Sequence, residues 1–224
     1  MDHEEQYPEW WDDGPAGPLH PLGYVLAVLA VIIGLFTACA PPTGGNNPVV
    51  VGDSIAFGAQ LDGAFNAMPN AFLDNQPGRG MYRKGIVKVN PDGSFVFGTS
   101  GAEAIPPLLT RLTPNGWTVI ELGTNDLDLP FTEDEASIAE LMRLVPGCVA
   151  WVNVWNNAND NTRIRSLQFN VALTNAATKR GGCTRVINWA GLVRGMEFTY
   201  LKDGVHTTPA GSRKLVELIK AVTG

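Results

Sequence analysis

The chain has 224 residues, 45% hydrophobic and 17% charged, enough for one well-packed core and short for two full domains. Its formal charge of -6 is concentrated at one end. Asp2, Glu4, Glu5, Glu9, Asp12 and Asp13 stand among the first 20 residues without Lys or Arg, and 22 acids less these six leaves 16 against 16 bases. The body is therefore neutral, which excludes the basic footprint of a nucleic-acid binder and any strong field for steering a charged substrate.

Residues 1–21 are acidic and punctuated by Pro8, Pro15, Pro18 and Pro21, the composition of a disordered tail. Leu22 to Ala40 is almost wholly apolar over 19 residues. That is long enough for one helical membrane crossing of roughly 20 residues, and longer than the roughly 7 to 15 residues of a signal-peptide core. Three outcomes are open: an uncleaved anchor, a cleaved signal, or a lipoprotein signal in which Phe36-Thr37-Ala38 precedes a lipidated Cys39. The expectation is a membrane-anchored protein with its domain outside the cytoplasm, secreted if the segment is cleaved. Neither flank carries Lys or Arg before Arg79, so the charge rule gives no direction. Residues 41–47, Pro- and Gly-rich, read as a linker to one domain over 48–224.

Within that domain strand-like and helix-like runs alternate. Val49-Val50-Val51 is a short buried strand, and Phe72-Leu73-Asp74 is a candidate second. Trp117–Leu122, Cys148–Val154 and Thr184–Trp189 are apolar enough for a sheet covered on both faces. Helical patterns run over Phe57–Met68, Ala102–Leu112, Glu133–Leu144 and Arg163–Arg180, the last with Leu167, Val171 and Leu173 inward. A final helix over Pro209–Val222 carries Leu215, Leu218, Ile219 and Val222 on one face. Residues 85–98 break the rhythm with a hairpin around Pro91-Asp92-Gly93. The alternation predicts a parallel, doubly wound α/β sheet of about five strands.

Cys148 and Cys183 each open a strand, so the topology puts them side by side at the starts of neighbours. A disulfide, implying an oxidising compartment, and two buried free thiols are both open. No CxxC or His-rich spacing points to a metal, and no motif calls for a cofactor.

Four short motifs, in order, carry chemistry: Gly52-Asp53-Ser54, Gly78, Gly123-Thr124-Asn125-Asp126 and Asp203-Gly204-Val205-His206. Ser54 follows a buried strand and precedes a helix, which puts its hydroxyl at the carboxyl edge of the sheet and lets its N–H face an oxyanion. Taken alone, Asp53 or Ser54 reads as a helix cap. Asn125 follows another strand, and its amide can donate to an oxyanion without adding charge; taken alone it reads as a turn residue. Gly78 allows close approach of a backbone N–H. Asp203 and His206 are spaced so that the carboxylate can accept from imidazole Nδ1–H, leaving Nε2 to take the serine proton. His3 and His20 precede the domain, so His206 is its only histidine.

On these blocks the sequence resembles the SGNH hydrolases, or GDSL esterases, over essentially all of residues 48–222. Val51–Ser54, Asp74–Met81, Leu122–Asp126 and Asp203–His206 look like the family's four blocks, while Phe169–Leu173 and Val186–Ala190 look like the helix and last strand of extracytoplasmic members. The resemblance implies a flavodoxin-like three-layer α/β/α sandwich with Ser54 as nucleophile. It implies an oxyanion hole of Ser54 N–H, Gly78 N–H and the Asn125 side chain, with His206 as base and Asp203 as its partner. Ile55 stands where many members have Leu, and the hairpin has no assigned counterpart.

The reading is a monomeric serine esterase acting on small acyl esters, O-acetyl first, of a carbohydrate or envelope glycan. Asp53, Asp126, Trp155 and Asn156 are the candidate substrate-binding residues, with Trp151 and Asn157 beside the cleft and Leu127–Phe131 lining an acyl pocket. The alternatives are acyl transfer by the same triad and a catalytically silent, membrane-tethered glycan-binding module.

Overall fold

A computed structural model describes residues 47–113 and 116–224. The acidic tail, the apolar segment with Cys39, and the linker up to residue 46 lie outside the described residues.

Strands β1 (Val49–Gly52), β2 (Phe72–Asn75), β5 (Trp117–Glu121), β6 (Cys148–Val152) and β7 (Thr184–Ile187) form a parallel sheet in the order β2-β1-β5-β6-β7. The three central strands are short, fully buried and mostly apolar runs, while β2 and β7, which carry Asp74, Asn75 and Arg185, are the edge strands. Strands β3 (Ile86–Val89) and β4 (Phe95–Phe97) form the separate hairpin, closed by Gly93 at φ 83°. The helices are α1 (Ser54–Leu61), α2 (Gly101–Leu108), α3 (Asp134–Arg143), α4 (Asp160–Arg180), α5 (Trp189–Val193), α6 (Glu197–Tyr200) and α7 (Pro209–Thr223).

Alternation along the strands splits the core in two. Val50, Val119, Ala150 and Val152 face a layer with Ile55 of α1 and Leu215, Val216 and Ile219 of α7. Val49, Val51, Ile120, Val149 and Trp151 face Ile105, Ile138, Leu141, Phe169 and Leu173 from α2, α3 and α4. The result is the expected α/β/α sandwich, because a strand with apolar residues at consecutive positions must be covered on both sides.

Three local expectations are corrected. The first helix begins at Ser54 rather than Phe57, because Asp53 caps it by accepting from the Ile55 N–H at 2.8 Å; left-handed Gly63 then separates it from a 3-10 turn at Ala64–Ala67. Helix α4 turns Ser166, Phe169, Leu173 and Ala176 inward, while Leu167 and Val171 face solvent. Ser166 is buried because its hydroxyl donates to Thr162 O at 2.9 Å and accepts from Asn156 N–H at 3.0 Å, so a polar residue occupies the inner stripe. Trp189 starts the short helix α5 rather than ending β7, since Asn188 caps it through the Gly191 N–H.

Cys148 and Cys183 are joined in a disulfide at the amino edge of the sheet, with Cα atoms 4.7 Å apart. Among the described residues no helix is long and apolar enough to cross a membrane.

The bridge closes a loop with a sequence separation of 35, for which chain entropy gives roughly 3 to 4 kcal/mol of stabilisation. Replacing both cysteines with alanine is expected to lower the urea midpoint accordingly, whereas an unchanged midpoint would mean the unfolded chain gains little from the cross-link.

Candidate active site

Adjacent strands bring the motifs together. Gly52 at the end of β1 pairs with Asn75 of β2 on one side and Glu121 of β5 on the other, so the segments that follow all leave from one edge. Gly52 has no room for a side chain: a Cβ there would run into Ala56 and the Asn75 amide. Chain reversal straight into α1 then leaves Ser54 as the first helical residue.

His206 reaches Ser54 from the far end of the chain. Ser54 Oγ lies 3.1 Å from His206 Nε2, and His206 Nδ1 lies 2.7 Å from Asp203 Oδ2. The other Asp203 oxygen accepts from the Val205 and His206 N–H groups at 3.0 and 2.7 Å, which fixes the carboxylate against its own loop. Burial works to raise the Asp203 carboxyl, but these hydrogen bonds outweigh it and hold it below its ordinary value. The loop is anchored twice. Gly204, at φ 82°, packs on the Asn157 backbone and accepts from Asn157 N–H at 2.8 Å, and Ser212 of α7 donates to Asp62 after α1 at 2.6 Å.

The oxyanion candidates differ in their engagement. Among the described residues, the N–H groups of Ser54 and Gly78 have no protein acceptor. Gly78 takes φ 71°, a left-handed conformation that favours glycine. Its loop is pinned by the fully buried Arg79, whose guanidinium binds Asp74 Oδ1 at 2.8 Å and both Thr99 oxygens at 3.0 Å. Asn125 Nδ2 donates to Asp53 Oδ2 at 3.1 Å and to Arg79 O at 3.0 Å. Both amide hydrogens are thus engaged, and donation to an oxyanion requires one of them to be shared or exchanged.

Three of the expected substrate contacts are corrected. Asp53 is fully buried and serves as helix cap and partner of Asn125. Asp126 is 1% exposed, with both oxygens accepting from the Met81 N–H at 3.1 and 3.0 Å. Trp155 packs in the α1–α7 core, and Trp151 is buried with its indole N–H donating to Leu122 O at 3.0 Å. The two acids are held inward by backbone N–H groups and the Asn125 amide, and the two indoles by the apolar layers on either face of the sheet. Asn156 is half-buried and lines a polar pocket of about 300 Å³ with Asn125, Arg83, Asn161, Thr162 and Arg165. Leu127 and Asp128 line it too, whereas Leu129 and Phe131 point to solvent. Asn157 is exposed and supports the histidine loop.

One residue of the site went unremarked in the sequence. Glu121, a lone acid in an apolar strand, lies buried beneath the start of α1; its Oε2 accepts from Ala56 N–H at 3.1 Å and Asp53 N–H at 3.3 Å. Its carboxyl also faces that of Asp53, whose charge opposes the ionisation of Glu121. Burial is the main cause that pushes Glu121 well up and Asp53 to about 6, the Ile55 N–H opposing the rise at Asp53. Burial likewise pushes Asp126 to about 6 against the Met81 N–H.

The sign of the linkage follows. Folded values near 6 for Asp53 and Asp126 exceed the ordinary 3.8, so the folded state holds these protons longer than the unfolded chain. Their contribution to stability is greatest below 3.8 and falls as pH rises towards 6. Glu121→Gln keeps an oxygen for the Ala56 N–H, supplies an N–H to Asp53 and cannot ionise. Denaturant midpoints of this variant are expected to fall less than those of the parent between about pH 4 and about pH 8. Equal pH slopes would remove Glu121 from the pH dependence of stability. Glu121→Leu strips the Ala56 N–H of its acceptor and should cost about 1 to 3 kcal/mol.

No protein-family model matches the chain, and a search of curated proteins returns no match. Solved structures do match. The C-terminal catalytic domain of peptidoglycan O-acetyltransferase A from Streptococcus pneumoniae, carrying a methylsulfonyl adduct, is 16% identical, with TM-score 0.58 over 79% of this chain and 92% of that one. A member of the lipolytic protein G-D-S-L family from Veillonella parvula is 15% identical, with TM-score 0.56 over 78% and 96%. An acetyl xylan esterase from Geobacillus stearothermophilus is 18% identical, with TM-score 0.50 over 83% and 97%. A five-stranded parallel sheet in the order β2-β1-β5-β6-β7, helices on both faces and these matches give the chain the fold of the SGNH hydrolases.

Proposed function

We propose that the chain is a serine carboxylic ester hydrolase in which Ser54 is the nucleophile, His206 the base and Asp203 its orienting acid. The observation that carries this reading is the continuous hydrogen-bonded line from Ser54 Oγ to His206 at 3.1 Å and on to Asp203 at 2.7 Å, with two free N–H groups at the same sheet edge.

The chemistry takes two steps. His206 Nε2 accepts the Ser54 proton as Oγ bonds to the ester carbonyl carbon, and the Ser54 and Gly78 N–H groups with Asn125 Nδ2 hold the resulting oxyanion. Collapse breaks the bond to the alcohol, which leaves with the proton from His206 Nε2. Water then adds to the acyl-serine, giving its proton to His206, and the carboxylic acid departs as Ser54 recovers its proton. Asp203 stays ionised throughout and stabilises the imidazolium.

The alcohol is a carbohydrate, and acetyl is the first acyl candidate. This is supported by the amide and guanidinium groups of the pocket around Asn156, suited to sugar hydroxyls, and by the presence of an acetyl xylan esterase and a peptidoglycan O-acetyltransferase domain among the structural matches. The second of these also keeps acyl transfer as a second reading, in which a sugar hydroxyl replaces water at the acyl-serine. The apolar residues 22–40 and the Cys148–Cys183 bridge support a domain tethered to a membrane in an oxidising compartment outside the cytoplasm.

Ser54→Ala is expected to abolish both fluorophosphonate labelling and hydrolysis of acetylated sugars; parent-level turnover in a folded Ser54→Ala protein would overturn the assignment. Asn125→Ala should slow turnover roughly a hundred- to a thousandfold, the effect of removing one oxyanion donor. Product analysis with a sugar acceptor separates hydrolysis from transfer. Carbonate extraction of membranes, with an impermeant protease added to intact cells, tests the tether and its direction.

A further inference from the structure

We infer that the groove between α1 and the β3–β4 hairpin is an acyl subsite that takes an unbranched apolar chain longer than acetyl. The inference rests on the esterase reading of Ser54 and revises its acyl group, since a chain that fills the groove would be cleaved in preference to acetyl.

The groove encloses about 530 Å³, within the roughly 300 to 1,000 Å³ of ligand sites. Its apolar wall is made by Phe57, Leu73, Pro77, Ile86, Val87 and Val89. The polar side chains along it are mostly turned to one another. Asn75 donates to Gln60 at 3.2 Å, Gln76 accepts from Thr99 N–H at 3.1 Å, and Asp74 holds Arg79 at 2.8 Å. Lys88 and the unpartnered Oδ1 of Asn75 also line the groove, and the remaining surface it offers a ligand is mainly apolar. Val87 and Val89 are 54% and 57% exposed, so packing within the protein does not account for two valines side by side on this wall.

The groove ends beside the loop that carries Gly78. Phe57 is three residues after Ser54, about one helical turn. Pro77 precedes Gly78, and Ile86 lies 3.7 Å from where a Cβ on Gly78 would stand. Its side relative to the histidine assigns the substrate's direction. A Cβ on Gly58 would meet Thr207, next to His206, at 3.8 Å, whereas Gln60, about 200° further round α1, lines the groove. The alcohol must leave towards His206, which protonates it, so the acyl chain extends the other way. The floor follows β2 from Leu73 to Asn75 and goes on through Gln76 to the turn at Pro77, at most roughly 13 Å, which suits hexanoyl to decanoyl chains.

The test is hydrolysis of p-nitrophenyl esters from acetyl to decanoyl, below their micelle concentrations, by the full chain and its Val87→Asp and Val89→Asp variants. Parent kcat/KM is expected to rise roughly two- to fourfold per added methylene as each is buried. The two variants, with Ser54 fluorophosphonate labelling confirming an intact site, are expected to lose at least tenfold in their octanoyl-to-acetyl ratio. A parent whose kcat/KM is flat or falls beyond acetyl overturns the subsite alone, as does a chain-length slope that both variants retain. If no ester in the series is cleaved in a Ser54-dependent way, the esterase reading fails and the subsite falls with it.

Discussion

The catalytic edge depends on a small buried junction where the ends of β1 and β5 meet. Glu121 closes β5, Asp53 follows β1, and Asn125 follows the next turn of the chain; the first two are buried acids side by side and the third donates to Asp53. Two acids removed from water cost several kcal/mol unless one is neutral and both are hydrogen-bonded. Here the N–H groups at the start of α1 and the Asn125 amide provide those bonds, so the strain of burying charge is relieved only while Ser54 and Asn125 stay where they are. The loop carrying Gly78 joins through Arg79 O, and Asp126 ties Met81 into the same assembly.

Much of this was legible in the sequence, and the reason is local. Apolar runs such as Val49–Val51 and Trp117–Leu122 have one physical solution in a neutral chain, a strand covered on both faces. Ser54, Asn125, Asp203 and His206 could be placed at one edge because each sits directly after a strand or before the last helix. The misplacements came from residues whose partners are distant in sequence. Asp53 and Asp126 look like substrate contacts until Asn125 and the Met81 N–H are brought beside them, and Leu167 and Val171 look inward-facing until the loop at Asn156 folds against Ser166. Glu121 left a faint signal, an acid inside an apolar run, whose meaning depended on a helix it had not yet met.

The centre is asymmetric. On one side Asn156, Asn161 and Arg83 line a polar pocket, while Arg165 spends its donors clamping the 127–129 loop through Leu127 O and Leu129 O and pairing with Asp134. On the other side the hairpin adds an apolar wall where the parallel sheet ends at β2. An ester with one wet and one greasy end matches this division.

The disulfide sits at the opposite edge from the serine, yet its loop encloses all of α4. That helix holds the floor of the polar pocket: Asn170 grips both backbone groups of Val154 at 2.8 Å, and Ser166 holds Asn156. A single proteolytic cut anywhere between Cys148 and Cys183 would therefore leave two pieces still covalently joined, with the serine and histidine on opposite pieces. In a compartment shared with proteases, the bridge makes such a nick survivable.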